Sequence, residues 1–204
     1  MARVYALDGL TPAVDPSSFV HATAVLIGDV IIGRGCYVGP GAVLRGDIGR
    51  LVMEDGSNLQ DNCVVHCFPG RDSVIEADGH VAHGAVLHGC TVKRNAMVGM
   101  NAVVMDGAVI GEDSFVGALA FVKAGFEVPP RHLVAGVPAK IVRELSAEEI
   151  DWKARGTREY QIIAQRCLTG LKEARPLEKP EANRPRFDAS DLLPLIDTKA
   201  GEGD

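Results

Sequence analysis

Three histidines, His66, His83 and His88, stand within one short stretch of a chain that holds six histidines in all. His83 and His88 lie in GHVAHGAVLHGC, where Gly, Ala and Val leave open space around each imidazole. Three imidazoles among small neighbours suit a tetrahedral Zn2+ whose fourth position stays open to water, the catalytic rather than the structural pattern. Fe2+ or Co2+ would accept the same nitrogen donors. The bland alternative is three unrelated surface histidines, and spacing by itself leaves both open. Two polar clusters precede them: Arg45 and Asp47 in LRGDIG, and Asn58, Gln60 and Asp61 in NLQDN. Packing alone requires neither cluster. Both need a scaffold that stacks distant segments on one another.

The sequence contains such a scaffold. Val20, Leu26, Ile32, Val38 and Leu44 stand six apart; Leu59 and Val65 resume the spacing; Val86, Val92, Val98, Val104, Ile110, Val116 and Val122 carry it on. A small residue stands two places before the aliphatic one, as in Ala24, Cys36, Ala42, Cys63, Gly84, Cys90, Ala96, Ala102, Ala108 and Ser114. Neither a helical nor a simple strand period gives this spacing. Hexapeptide repeats belong to parallel β-solenoids, in which three short strands close one triangular coil and the aliphatic side chains of successive coils stack inside. The expected fold is therefore an all-β solenoid over 19–145, after a lead-in of residues 1–18. Arg45, Asp47 and Asp61 read equally well as an ion-pair network between subunits. Cys36, Cys63 and Cys90 fall on the small-residue position and act as small apolar side chains, whereas Cys67, which follows His66 directly, is placed near the histidines. The segment from Cys67 to Gly79 breaks the phase and is expected to project as a loop.

The chain has 204 residues, 21 basic and 27 acidic side chains and a net charge of -6. That balance argues against a nucleic-acid partner, which would need clustered Lys and Arg. No apolar run is long enough for a membrane span, and the N-terminus lacks the apolar core of a secretion signal, so a cytoplasmic location is the default expectation. An odd set of five cysteines fits reduced thiols. From Ser146 the period becomes helical. Ser146 with Glu149 forms a capping-box pattern, and Gly156 is expected to separate a first helix from a second one capped by Thr157. Tyr160, Ile163, Ala164, Cys167, Leu168 and Leu171 form an apolar stripe that must be covered by the solenoid or by a neighbouring subunit. The helical segment spans 146–174, and the Pro- and charge-rich tail of 175–204 is expected to be flexible. A three-sided coil with open flanks suits a homotrimer.

Arg45–Asp47, NLQDN, His66 and HGAVLHGC together resemble the γ-class carbonic anhydrase family of left-handed parallel β-helix trimers. The C-terminal ELSAEEIDWKARGTREYQ resembles its phenylacetate-degradation subgroup, with the carnitine-operon subgroup as the alternative. The resemblance implies zinc at a subunit interface, bound by His66 and His88 of one chain and His83 of its neighbour. It also implies that Gln60 holds the metal-bound water, that Arg45 and Asp61 pair across the interface, and that Tyr160 reaches toward the site. Ile48 departs from the family, since a Glu follows the RGD in efficient CO2-hydrating members, and the loop opening Cys67–Phe68–Pro69–Gly70 lacks the acidic residue expected there. The activity implied is zinc-dependent hydrolysis of acyl-CoA thioesters, with CO2 hydration or a non-catalytic trimeric scaffold as alternatives. Acyl transfer is disfavoured at this point, because transferases on such solenoids generally use one histidine. Arg71, Lys93, Arg94 and Lys123 are candidates to meet the CoA phosphates.

Overall fold

Each hexapeptide contributes one strand to a flat face, and the structure, a computed structural model describing residues 2–186 and 193–199, is a left-handed parallel β-solenoid of about seven turns. Three parallel ladders run along it. One passes through Val64–His66 and Val86–His88, a second through Ser73–Ile75 and Thr91–Val92, and a third through Asn58–Leu59, His80–Val81, Met97–Val98 and Phe115–Val116. Leu26, Val38, Leu44, Leu59, Val98, Val104, Ile110 and Val116 point inward and are at most 1 % exposed. Cys36, Cys63 and Cys90 fill the tight corners as buried thiols. Burial pushes their ionisation up, Cys63 to about 11 and Cys90 to about 12, so they stay protonated packing groups.

The coil departs from the expected phase at two places. Leu87, not Val86, is the inward residue, with Ala85 rather than Gly84 at its corner. The residue gained is returned at the corner Gly89, which adopts φ +54° and shortens the step to Val92. The expected loop of 67–79 is also smaller than its composition suggests. Ser73–Ile75 is already a rung, with Ile75 buried. Cys67 turns into the core instead of toward the histidines, and burial raises its ionisation. Past Val128, His132–Gly136 and Ala139–Glu144 form an antiparallel pair that ends the stack.

A single helix, α1 (Ala147–Gly170), follows, with both hydrogen bonds of the capping box at Ser146 and Glu149 in place. It runs unbroken through Gly156, because the residues around it are strong helix formers and one Gly costs only about 1 kcal/mol. Thr157 is therefore a buried mid-helix residue, not a cap. Its docking face is polar. Arg143 makes two 2.7 Å bonds to Glu149, Lys153 donates to the Asp78 carbonyl and to Asn95, and Gln161 bonds Gly56 and Asp78. Burial brings the Lys153 ammonium down to about 7. Of the expected apolar stripe only Ala164 is fully covered; Tyr160, Ile163, Cys167 and Leu171 line an open groove along the helix. A short α2 (Leu195–Lys199) lies near the C-terminus; of the expected flexible tail, residues 187–192 and 200–204 lie outside the described residues. No helix among the described residues is long and apolar enough to cross a membrane.

Coil stacking sets a sharp requirement at Gly99, where an added Cβ would stand 2.6 Å from the Ala118 nitrogen and the Val116 oxygen of the next coil. Gly99→Ala is expected to lower stability by about 1–3 kcal/mol, the usual cost of overpacking. Gly156→Ala, whose Cβ meets nothing within 4 Å, should raise stability by about 0.5–1 kcal/mol. Denaturant midpoints of both variants check the pair; a neutral Gly99→Ala would contradict the stacking account.

Candidate functional site

The register of the first ladder pairs His66 directly with His88, so two imidazoles from adjacent coils stand side by side on one flank. His66 Nε2 lies 3.0 Å from Asp47 Oδ1, and His88 Nδ1 lies 2.7 Å from Asp106 Oδ1. Partial burial works against the charge on Asp47, but bonds from Arg45 and His66 outweigh it and hold the carboxyl below its ordinary range. An ionised carboxylate only accepts, so His66 donates from Nε2 and His88 from Nδ1. In neutral imidazoles so oriented, the remaining ring nitrogens, His66 Nδ1 and His88 Nε2, 3.1 Å apart, are both acceptors. Two acceptors that close need a positive charge between them, either a shared proton or a metal ion. Two nitrogens bound at about 2.0–2.1 Å to one tetrahedral ion would lie roughly 3.3–3.4 Å apart, so the pair fits such an ion. The Phe68 ring covers one side of His88, at 4.9 Å between centroids.

His83 does not join this pair. It sits at the corner after His80–Val81, with Nδ1 2.8 Å from Asp61. Among the described residues no three His, Cys, Asp or Glu side chains gather to hold a metal within one chain. Within the chain Arg45 pairs with Asp47, and Asp61 with His83; the expected Arg45–Asp61 pair is one between subunits. Gln60 and Tyr160 do meet on the third face, around a residue that sequence reasoning passed over. His80 accepts from Gln60 at 2.7 Å and stands 3.3 Å from Thr157 Oγ1, with the Tyr160 ring edge-on against it at 5.4 Å. Burial, reinforced by Lys153, lowers the His80 imidazole to about 3, so it is neutral. Burial raises the Tyr160 hydroxyl to about 12, so it keeps its proton and can donate.

The basic candidates separate into two groups. Lys93 pairs with Glu76 and Arg94 with Glu112. Arg71 and Lys123 have no ion pair among the described residues. The Arg71 side chain lies over Gly89 and Gly107, next to the His88–Asp106 pair. Ile48, at 46 % exposure, leaves no acid at its position. Asp106 was also missed; the strand register that pairs Leu87 with Val104 stacks it over Gly89, one position past His88, and it reaches back to His88.

Comparisons with known proteins now bear on the site. The family model for bacterial transferase hexapeptides (six repeats) matches residues 14–46 and 89–124. The carnitine operon protein CaiE of Salmonella dublin is 56 % identical over 183 residues, which is 90 % of this chain and 92 % of that protein. A solved structure from Bacillus cereus, provisionally named an acetyltransferase, superposes with a TM-score of 0.81 at 34 % identity, over 82 % of this chain and 98 % of its own. A hexapeptide transferase family protein of Anaplasma phagocytophilum gives 0.77 at 37 % identity, over 80 % and 96 %. These relatives are named for transferases and for a carnitine operon. They overturn the expectation of a zinc-dependent acyl-CoA thioesterase with weak carbonic anhydrase activity, and they give no support to the phenylacetate-degradation subgroup.

The neutral His80 carries a pH dependence of stability. Unfolded histidine binds a proton near its ordinary value of 6.5, whereas the folded imidazole resists one down to about 3. Between these values the unfolded state holds more protons, so stability is lost as pH falls, by up to about 1.4 kcal/mol per pH unit. His80→Asn is expected to start less stable and to show a shallower slope from pH 6.5 to 4.5 in denaturant titrations. Equal slopes would contradict a buried neutral His80.

Proposed function

The chain belongs to the bacterial hexapeptide-repeat transferase family, and from that premise we propose that it transfers acyl groups from CoA thioesters as a homotrimer. The reaction class is that of its relatives, and the site is the His66–His88 pair. The observation that carries the site is the two ring nitrogens 3.1 Å apart, each imidazole backed by a carboxylate. In the proposed trimer this flank meets the corner of the next chain that carries His83, and the open groove along α1 is covered by the same neighbour.

Zinc, or Fe2+ or Co2+ in its place, fits between His66, His88 and the neighbour's His83, and would polarise the thioester carbonyl as a Lewis acid. Asp47 and Asp106 fix the tautomers of the paired imidazoles, as carboxylates behind metal-binding histidines do, and Asp61 fixes that of His83. Gln60, held by His80 and Asn58, and the protonated Tyr160 present polar groups to the reacting end of the substrate. Arg71 stands where an anionic phosphate of CoA can reach it. In the transfer the acyl carbon–sulfur bond breaks and a bond to an amine or hydroxyl of the acceptor forms. The acceptor's proton leaves with the CoA thiolate.

The test is thiol release from a panel of acyl-CoAs with and without amine and hydroxyl acceptors, carnitine among them. Release is expected only when an acceptor is present. His88→Ala should abolish it and Asp106→Asn should lower it about 10–100-fold, the usual effect of removing the group behind a ligating histidine. Release at one rate with and without every acceptor would contradict acyl transfer.

A further inference from the structure

The third face of the solenoid carries an outward ladder that changes character from one coil to the next. Asn58, His80, Met97, Phe115 and Leu133 occupy equivalent positions on successive strands, in register. The first two are polar and bonded to each other, at 3.2 Å. The last three are apolar, and Phe115 is only 4 % exposed although it faces out of the coil. Between this ladder and α1 lies a cavity of about 420 Å³ that Met97, Phe115, Leu133 and Trp152 line, together with Gln60, His83 and Tyr160. Strands are about 4.8 Å apart, so the apolar stretch beyond His80 runs roughly 14 Å. A cavity of about 150 Å³ holds one benzene, so this one has room for an aryl group or a medium-length alkyl chain. Glu149, the carboxylate in its wall, is held by Arg143 through two 2.7 Å bonds, which disfavours a cationic guest.

We infer that this cavity is the acyl subsite, taking neutral apolar acyl groups of medium length or aromatic acyl groups with the carbonyl end at Gln60, His83 and Tyr160. The inference rests on the acyl-transfer reading, because it is His83 of this chain that would complete the neighbour's histidine pair. A cavity rich in apolar walls with a few converging polar groups is the usual form of a small-molecule site. Short acyl groups would leave the Met97–Leu133 stretch empty, so chain length should select among substrates.

Trp152 is the only tryptophan of the chain and reports filling of the cavity. Full-length protein is titrated with CoA, acetyl-CoA, octanoyl-CoA and free octanoate while Trp152 emission is followed. Octanoyl-CoA is expected to bind about tenfold or more tightly than acetyl-CoA and to shift the emission to the blue, since each buried methylene adds to affinity. Met97→Phe should weaken octanoyl-CoA by about tenfold and acetyl-CoA far less, because it occupies apolar volume that only the longer chain reaches. Octanoate alone should give the same spectral shift at higher concentration. A shift with octanoate but none with octanoyl-CoA would uphold the apolar cavity and sink the acyl-transfer reading. Equal affinities for octanoyl- and acetyl-CoA, or no response of Trp152 to any of the four, would overturn the inference.

Discussion

Each coil must lay its inward aliphatic side chains directly on those of the coil below, with a small residue at every corner. That one constraint fixes the height, register and facing of every other residue. Leu44, Val65, Leu87 and Val104 follow one another along the first ladder, paired strand to strand. Because they do, His66 must lie beside His88, with Asp106 one coil further on. The His66–His88 pair is a by-product of stacking. Nothing local to either histidine would bring them within 3.1 Å of each other.

The same geometry explains why the helix docks as it does. A solenoid face is flat and its outward residues are mixed, so α1 cannot bury a wide apolar stripe on it. It is fastened instead by Glu149, Lys153, Thr157 and Gln161, each bonded to the coils or to the segment that closes them. A buried ammonium and carboxylate are retained only when such partners are present. Ile163, Cys167 and Leu171 are left in an open groove, which is the physical reason for reading the chain as one member of a closed assembly.

Much of this was legible in the residues. The six-residue spacing gave the solenoid, the small corner residues and the packing role of Cys36, Cys63 and Cys90. Two readings failed for a common reason. Pro69, Gly70 and Asp72 look like a long loop, and Gly156 looks like a break, but each is outweighed by the coil or helix on either side of it. The one-residue slip from Val86 to Leu87 was invisible because both are aliphatic, and only the inward pointing of Ile75 and Val81 settles which is which. His80 escaped notice because its meaning depends on Asn58 one coil below and on Thr157 of the distant helix. Asp106 escaped because the short step after Gly89 stacks it over Gly89, from where it reaches back to His88.

The central claim is that one chain carries only part of the site, and that His66 and His88 of one copy are completed by His83 of the next. Subunit exchange between His83→Ala and His88→Ala proteins tests it, read as bound zinc per chain by elemental analysis after removal of free metal. Neither variant alone should hold zinc. In a cyclic trimer every mixed ring has one interface with both partners intact, so equal mixing should restore about a quarter of the wild-type content. Zinc that stays absent after verified exchange, or that is already full in the His83→Ala protein, would contradict a site shared between chains.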